Sequence, residues 1–175
     1  MKNDEIEKLK FPIGRFRWVN RLSLEEIKSL TEEIRSFPSK LEAEIKGYSR
    51  EDLKKRYRPG AWQIGQLIHH IADSHLQSYM RFKLALNQDT PKVLDYDQDR
   101  WAEMPDALDT NVESSLLILR GIHHRWAKLI ETLDSHQWER QYYHPARDKY
   151  YPLATVLALY AWHGQHHLAH IKNTP

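Results

Sequence analysis

Apolar residues recur at three- and four-residue steps in four stretches of the chain, the spacing that places them on one face of a helix. The first stretch opens at Ser23, where Ser23-x-x-Glu26 has the form of a capping box. Ile27, Leu30, Ile34, Leu41 and Ile45 follow, and Gly47 suits a stop. Pro38 falls inside this run. It lacks an N–H and crowds the preceding turn, so a kink or a split at Phe37 is expected. The second stretch runs from about Trp62 to Leu86 through Ile64, Ile68, Ile71, Tyr79 and Phe82. A third starts at Thr110-x-x-Glu113, again a capping-box pattern, and carries Val112, Leu116, Leu119, Trp126, Leu129 and Leu133. The fourth begins near Pro152, a favourable first-turn residue, and reaches about Lys172 through Leu153, Val156, Leu159 and Tyr160.

No strand signal stands out between these stretches. Residues 87–109 and 134–151 form two long connections, which cross a bundle end or build a site. The pattern predicts an all-α fold: one four-helix bundle over residues 1–175, with long connections that permit a connectivity other than simple up-down.

Composition narrows the function. Lys, Arg, Asp and Glu make up 29% of the 175 residues, yet the formal net charge is only +2 and the signs are mixed. No basic face marks the chain for nucleic acid or an anionic membrane. No run approaches the roughly 20 apolar residues of a membrane span, and the charged N-terminus lacks the apolar stretch of a signal peptide. A cytoplasmic location is expected. With no Cys there is no disulfide, thiolate nucleophile or Cys-type zinc site.

Histidine carries the remaining chemistry. Four of the eleven stand at 163, 166, 167 and 170, in "YAWHGQHHLAHI". At about 100° per residue, His163 and His167 lie within roughly 40° of each other and continue the stripe of Val156, Leu159 and Tyr160. Two imidazoles at i and i+4 on one face can bind one metal ion. His166 and His170 form a competing pair at the stripe's edge. A Glu after the first His, the general base of zincins, is absent, because Gly164 stands there. A third ligand must come from another helix. His69 and His70 flank the second stripe on opposite sides, and periodicity does not choose between them. His75 lies within that stripe and reads as a core residue bonded to a neighbouring helix, so replacing it should cost stability and leave the metal in place. His123 and His124 read as boundary residues.

At this point the chain resembles a known family. "YRPGAWQIGQLIHHIADSHLQSYMRFK", "YAWHGQHHLAHI" and the leading "FPIGRF" look like the YfiT-type branch of the DinB/bacillithiol-transferase superfamily. The resemblance implies a four-helix bundle of unusual connectivity and one divalent metal ion held by three histidines. Carried onto this chain they are His70, eight residues after Trp62, with His163 and His167. It also implies a homodimer. Relatives carry an acidic residue soon after the His-Pro of the last loop; Ala146 stands there in "HPARDKYY", and Asp148 is the substitute on offer.

Three functions fit such a site. A metal-dependent hydrolase would use an open position for activated water. A thiol S-transferase of the bacillithiol type would place a low-molecular-weight thiolate there. A non-catalytic metal-binding stress-response module would close the site with a fourth protein ligand. The hydrolase, acting on a small molecule, is the leading expectation, with its catalytic residues unknown. Zinc suits a tetrahedral nitrogen site, while nickel or manganese suits a six-coordinate site completed by waters.

Overall fold

The computed structural model describes residues 3–175. Four long helices dominate it: α2 (Leu24–Glu44), α4 (Ile64–Asn87), α6 (Glu113–Ile130) and α8 (Leu153–Lys172). Short helices lie between and before them: α1 (Asn3–Lys10), α3 (Arg50–Leu53), α5 (Gln98–Ala102) and α7 (Ser135–Trp138). α2 packs on α6 and α8, and α4 packs on the same two helices. The order around the bundle is therefore α2, α6, α4, α8. α2 and α4 face each other diagonally, as do α6 and α8, so two of the three connections must cross a bundle end. No helix among the described residues is long and apolar enough to cross a membrane.

The helix starts follow local chemistry. Ser23 and Glu26 form the reciprocal capping box at α2, with Ser23 N–H donating to Glu26 Oε2 at 2.7 Å and Glu26 N–H to Ser23 Oγ at 3.2 Å. The box expected at Thr110 and Glu113 does not form. Asn111 Oδ1 accepts from Glu113 N–H at 3.3 Å instead, and the Glu113 carboxylate reaches Arg120 Nη2 at 2.7 Å. α6 consequently begins three residues after Thr110.

Pro38 neither kinks α2 apart nor splits it; the helix is continuous to Glu44. A helical proline leaves the carbonyl four residues earlier without its usual donor, here that of Ile34. His123 of α6 supplies the replacement through Nδ1. His123 is therefore a fully buried core residue and not a boundary one.

The connection before α8 contains a strand pair that periodicity missed. β1 (Gln141–His144) and β2 (Lys149–Pro152) form an antiparallel hairpin in which Tyr142 faces Tyr151 and Tyr143 faces Tyr150. Tyr142 and Tyr151 are buried and stacked at 5.3 Å, while Tyr150 is exposed. Four-residue strands are too short to show alternation clearly. A single 3-10 turn, Pro145–Arg147, joins them, and Asp148 closes it in the left-handed region at φ 45°. Tyr143 O–H donates to Asp148 Oδ1 at 2.6 Å, so this acid is committed to the hairpin turn. Tyr143 also pairs with the preceding connection: its N–H donates to the Pro91 carbonyl and its carbonyl accepts from Val93, both at 3.0 Å.

After α1 the chain runs along α8. Phe16 packs on Trp162, Phe11 on His166, and Thr155 Oγ1 donates to the Val19 carbonyl. On its other side α8 meets α2 at Gly164. A Cβ built there would stand 2.8 Å from Phe37 Cδ2. The Phe37 ring is itself held, stacked on His75 and His123 at 5.5 and 5.4 Å. Gly→Ala inside a helix ordinarily gains about 0.5–1 kcal/mol. Here overpacking, worth about 1–3 kcal/mol, should reverse the sign. Gly164→Ala is expected to melt several degrees below the wild type in a calorimetric scan; an equal or higher melting temperature would show that Phe37 yields freely.

Candidate metal centre

The helical stripes bring three of the sequence-selected histidines together between α4 and α8. Ligand atoms of His70, His163 and His167 all lie within 4.8 Å of one another and could hold a metal ion. His163 and His167 sit one turn apart on α8, with their Nε2 atoms 3.1 Å apart. His70 approaches from α4, its ring centre 5.5 Å from His163 and 5.2 Å from His167. Trp62 backs it at 4.8 Å. Two nitrogens each about 2.0–2.1 Å from a common ion stand roughly 2.8–3.4 Å apart for octahedral to tetrahedral angles, so the 3.1 Å spacing suits one ion.

His69 and His70, between which periodicity does not choose, differ in their partners. The two nitrogens of His69 are used on its own side of α4, Nδ1 with Ser115 Oγ at 2.7 Å and Nε2 with the Asp109 carbonyl at 2.9 Å. His70 makes no hydrogen bond among the described residues and faces α8.

The hydrogen bonds around His163 and His167 determine where their protons sit. Burial holds His70, His123 and His170 neutral, with pKa values pushed down to about 4, and drives His75, His163 and His167 well below the usual imidazole range. A neutral imidazole has one N–H and one bare nitrogen. The Ile34 carbonyl can only accept, so His123 carries its proton on Nδ1 and is bare at Nε2. His75 Nδ1–H then donates to that Nε2 at 2.8 Å, leaving His75 Nε2 bare. His163 Nδ1–H donates to it in turn at 3.0 Å, so His163 is bare at Nε2.

A second series starts from the N-terminal helix. His170 Nε2–H donates to the Lys10 carbonyl at 3.2 Å, leaving His170 Nδ1 bare. His167 Nδ1–H donates to that atom at 3.2 Å, and His167 is bare at Nε2. Both series end on lone pairs that face each other across 3.1 Å with no hydrogen between them. Such lone pairs repel one another, and a Lewis acid between them converts the repulsion into two bonds. The donor set therefore fits a divalent cation. His75 remains a core residue bonded to neighbouring helices, as its place in the stripe predicts, but one of those partners is His163; its role extends beyond packing.

A second group, His166, His167 and His170, also has ligand atoms within 4.8 Å. It suits a cation less well. Both nitrogens of His170 and Nδ1 of His167 are spent in the hydrogen bonds just described. His166 stacks on Trp162 at 4.4 Å. His124 is exposed on the outer face of α6.

A cavity of about 620 Å³ opens beside His163. Ser74 and Tyr160 line it near the histidines, with Ser74 Oγ 3.5 Å from the Tyr160 hydroxyl, and Arg81, His144 and Arg147 line it further away. Periodicity gave no warning of this cavity, because the hairpin and residues 95–98 supply one of its walls.

The chain as a whole is similar to known proteins. The DinB superfamily model matches residues 33–171. A provisionally named metal-dependent hydrolase of Bacillus mycoides (strain KBAB4) is 39% identical over 165 residues, covering 94% of each chain. A similarly named protein of Bacillus anthracis (strain A0248) shows the same identity and coverage. The solved structure of YfiT from Bacillus subtilis, described as a probable metal-dependent hydrolase with an unusual four-helix bundle topology, superposes with a TM-score of 0.92 at 36% identity over 94% of each chain. Fold, sequence and connectivity agree that the chain belongs to the DinB superfamily, in its YfiT-type branch.

Proposed function

We propose that the protein is a metal-dependent hydrolase in which His70, His163 and His167 hold one divalent ion, zinc by the chemistry of its ligands. The observation that carries this reading is the pair of bare Nε2 atoms facing each other at 3.1 Å beside a cavity able to admit a small molecule. The names of the related proteins agree with it. A divalent ion held by three imidazoles supplies an acidified water near neutral pH and an electrophile for a substrate oxygen.

The chain's own residues do the rest. His75 and His170 fix the ring orientation and proton position of His163 and His167, so both present lone pairs without rearrangement. Tyr160, on α8 one turn before His163, and Ser74, on α4 beside His75, place hydroxyls at the cavity end where charge would develop on a substrate carbonyl. Trp62 closes the site behind His70 and keeps bulk water from that side. Asp148 takes no part, being held by Tyr143. Closure of the site by His170 as a fourth protein ligand is disfavoured because both of its nitrogens are already engaged.

Three measurements test this reading. Elemental analysis should find one divalent ion per chain, lost in the double variant His163→Ala/His167→Ala and weakened in His70→Ala. His69→Ala should keep the metal while melting earlier, because it breaks the bonds to Ser115 and Asp109. Unchanged stoichiometry in the double variant would overturn the ligand set. Zinc-loaded protein should hydrolyse members of an ester and amide panel without added thiol; conjugation of a low-molecular-weight thiol to electrophiles, with no hydrolysis, would select thiol transfer instead.

The proton series offers a separate check. His123→Phe keeps a ring against Phe37 but frees His75 to reverse its tautomer. Zinc affinity should fall about 10–100-fold. In the metal-free protein, ¹⁵N spectra should show His75 and His163 protonated at Nδ1 in the wild type and mixed in the variant. Unchanged affinity and unchanged spectra would show that the series does not govern the ligands.

A further inference from the structure

Arg81 is the unusual member of the cavity wall. It projects from α4, is only 7% exposed, and lines the same cavity as His163. Its guanidinium donates through Nη2 to the Leu94 carbonyl, while Nε is buried without a partner. No carboxylate pairs with it among the described residues. Two aspartates share the cavity, but both are engaged elsewhere: Asp95 Oδ1 lies 3.5 Å from His144 Nε2, and Asp97 pairs with Arg100 at 3.3 Å and caps α5. A buried cation with one hydrogen bond and no counter-ion is costly to fold around, and such charges are ordinarily paired. A second unpartnered donor or acceptor, His144 Nδ1, is buried on the same wall, and Arg147 adds a positive charge at the exposed rim.

We propose that the cavity is the binding site of an anionic substrate whose carboxylate or phosphate seats on Arg81, with its scissile group at the histidine end. This rests on the reading of that end as the metal centre, and it names the class of molecule hydrolysed there. A guanidinium offers a planar fork of N–H donors that matches both oxyanions, which an ammonium does not. The helix sets the spacing. Ser74, which lines the cavity beside Tyr160, and Arg81 are seven residues apart on one face of α4, a rise of roughly 10 Å. A substrate that seats its anion on Arg81 must span at least that distance to reach the histidine end. Small neutral esters would occupy the histidine end alone and be turned over with a high KM.

The test separates the two ends. Adipate, its neutral counterpart adipamide, and inorganic phosphate are titrated calorimetrically into metal-free protein, so that no carboxylate can bind through an ion. Adipate or phosphate should bind at one site per chain and adipamide should not. The tighter of the two anions identifies the oxyanion preferred. Arg81→Gln should weaken anion binding about tenfold or more, a step expected when a charge-assisted pair is lost, while Arg81→Lys retains part of it. Arg81→Gln should bind zinc as the wild type does and melt no lower, since it removes an unpaired buried charge. Zinc bound normally with no anion affinity in the wild type would overturn the anion site and leave the metal reading intact; anion binding without zinc binding would do the reverse. A lower melting temperature in Arg81→Gln, with anion affinity unchanged, would make Arg81 a structural residue and overturn the proposal.

Discussion

A backbone carbonyl has lone pairs and no proton to give, and at Ile34 that asymmetry propagates through the centre of the molecule. Pro38 removes the helical donor, His123 replaces it, and each neutral imidazole that follows has one remaining choice. Neutrality is essential. If burial did not keep His75 and His123 uncharged, either could carry protons on both nitrogens and the direction of the series would be lost. The proline and the buried histidines are thus parts of one device, which delivers a lone pair to the interhelical space at His163.

The bundle is arranged to make that device possible. α2 contributes the carbonyl, α6 His123, α4 His75 and α8 His163, so one hydrogen-bonded series passes through all four long helices. The ring order α2, α6, α4, α8 places each donor next to its acceptor, and diagonal connections are what that order requires. Close approach matters most between α2 and α8, where Gly164 makes room for Phe37, and Phe37 in turn lies flat against His75 and His123. Packing and proton placement are held by the same aromatic contact.

Much of this was legible from spacing. The Ser23 capping box, the four helical stripes and the position of His163 and His167 on the core face all follow from periods of three and four, because those periods reflect backbone geometry alone. Periodicity had no means of separating His69 from His70. Each stands off the stripe by a similar angle, and the distinction lies in what the neighbouring helices offer: Ser115 on one side, empty imidazole nitrogens on the other. The unbroken helix at Pro38 escaped for a related reason, since its compensating donor is distant in sequence. The tyrosine hairpin was too short to show alternation, and the cavity it walls went unseen with it. Thr110 shows the opposite error, a correct-looking pattern overruled by nearby Asn111.

The carbonyl of Lys10 performs for His167, through His170, what Ile34 performs for His163. It belongs to the short N-terminal helix, well ahead of the point where the superfamily's shared region begins at residue 33. A fragment begun at residue 33 would cut α2 short by nine residues and remove Lys10, so His170 would lose its anchor and His167 the reason to hold its proton on Nδ1.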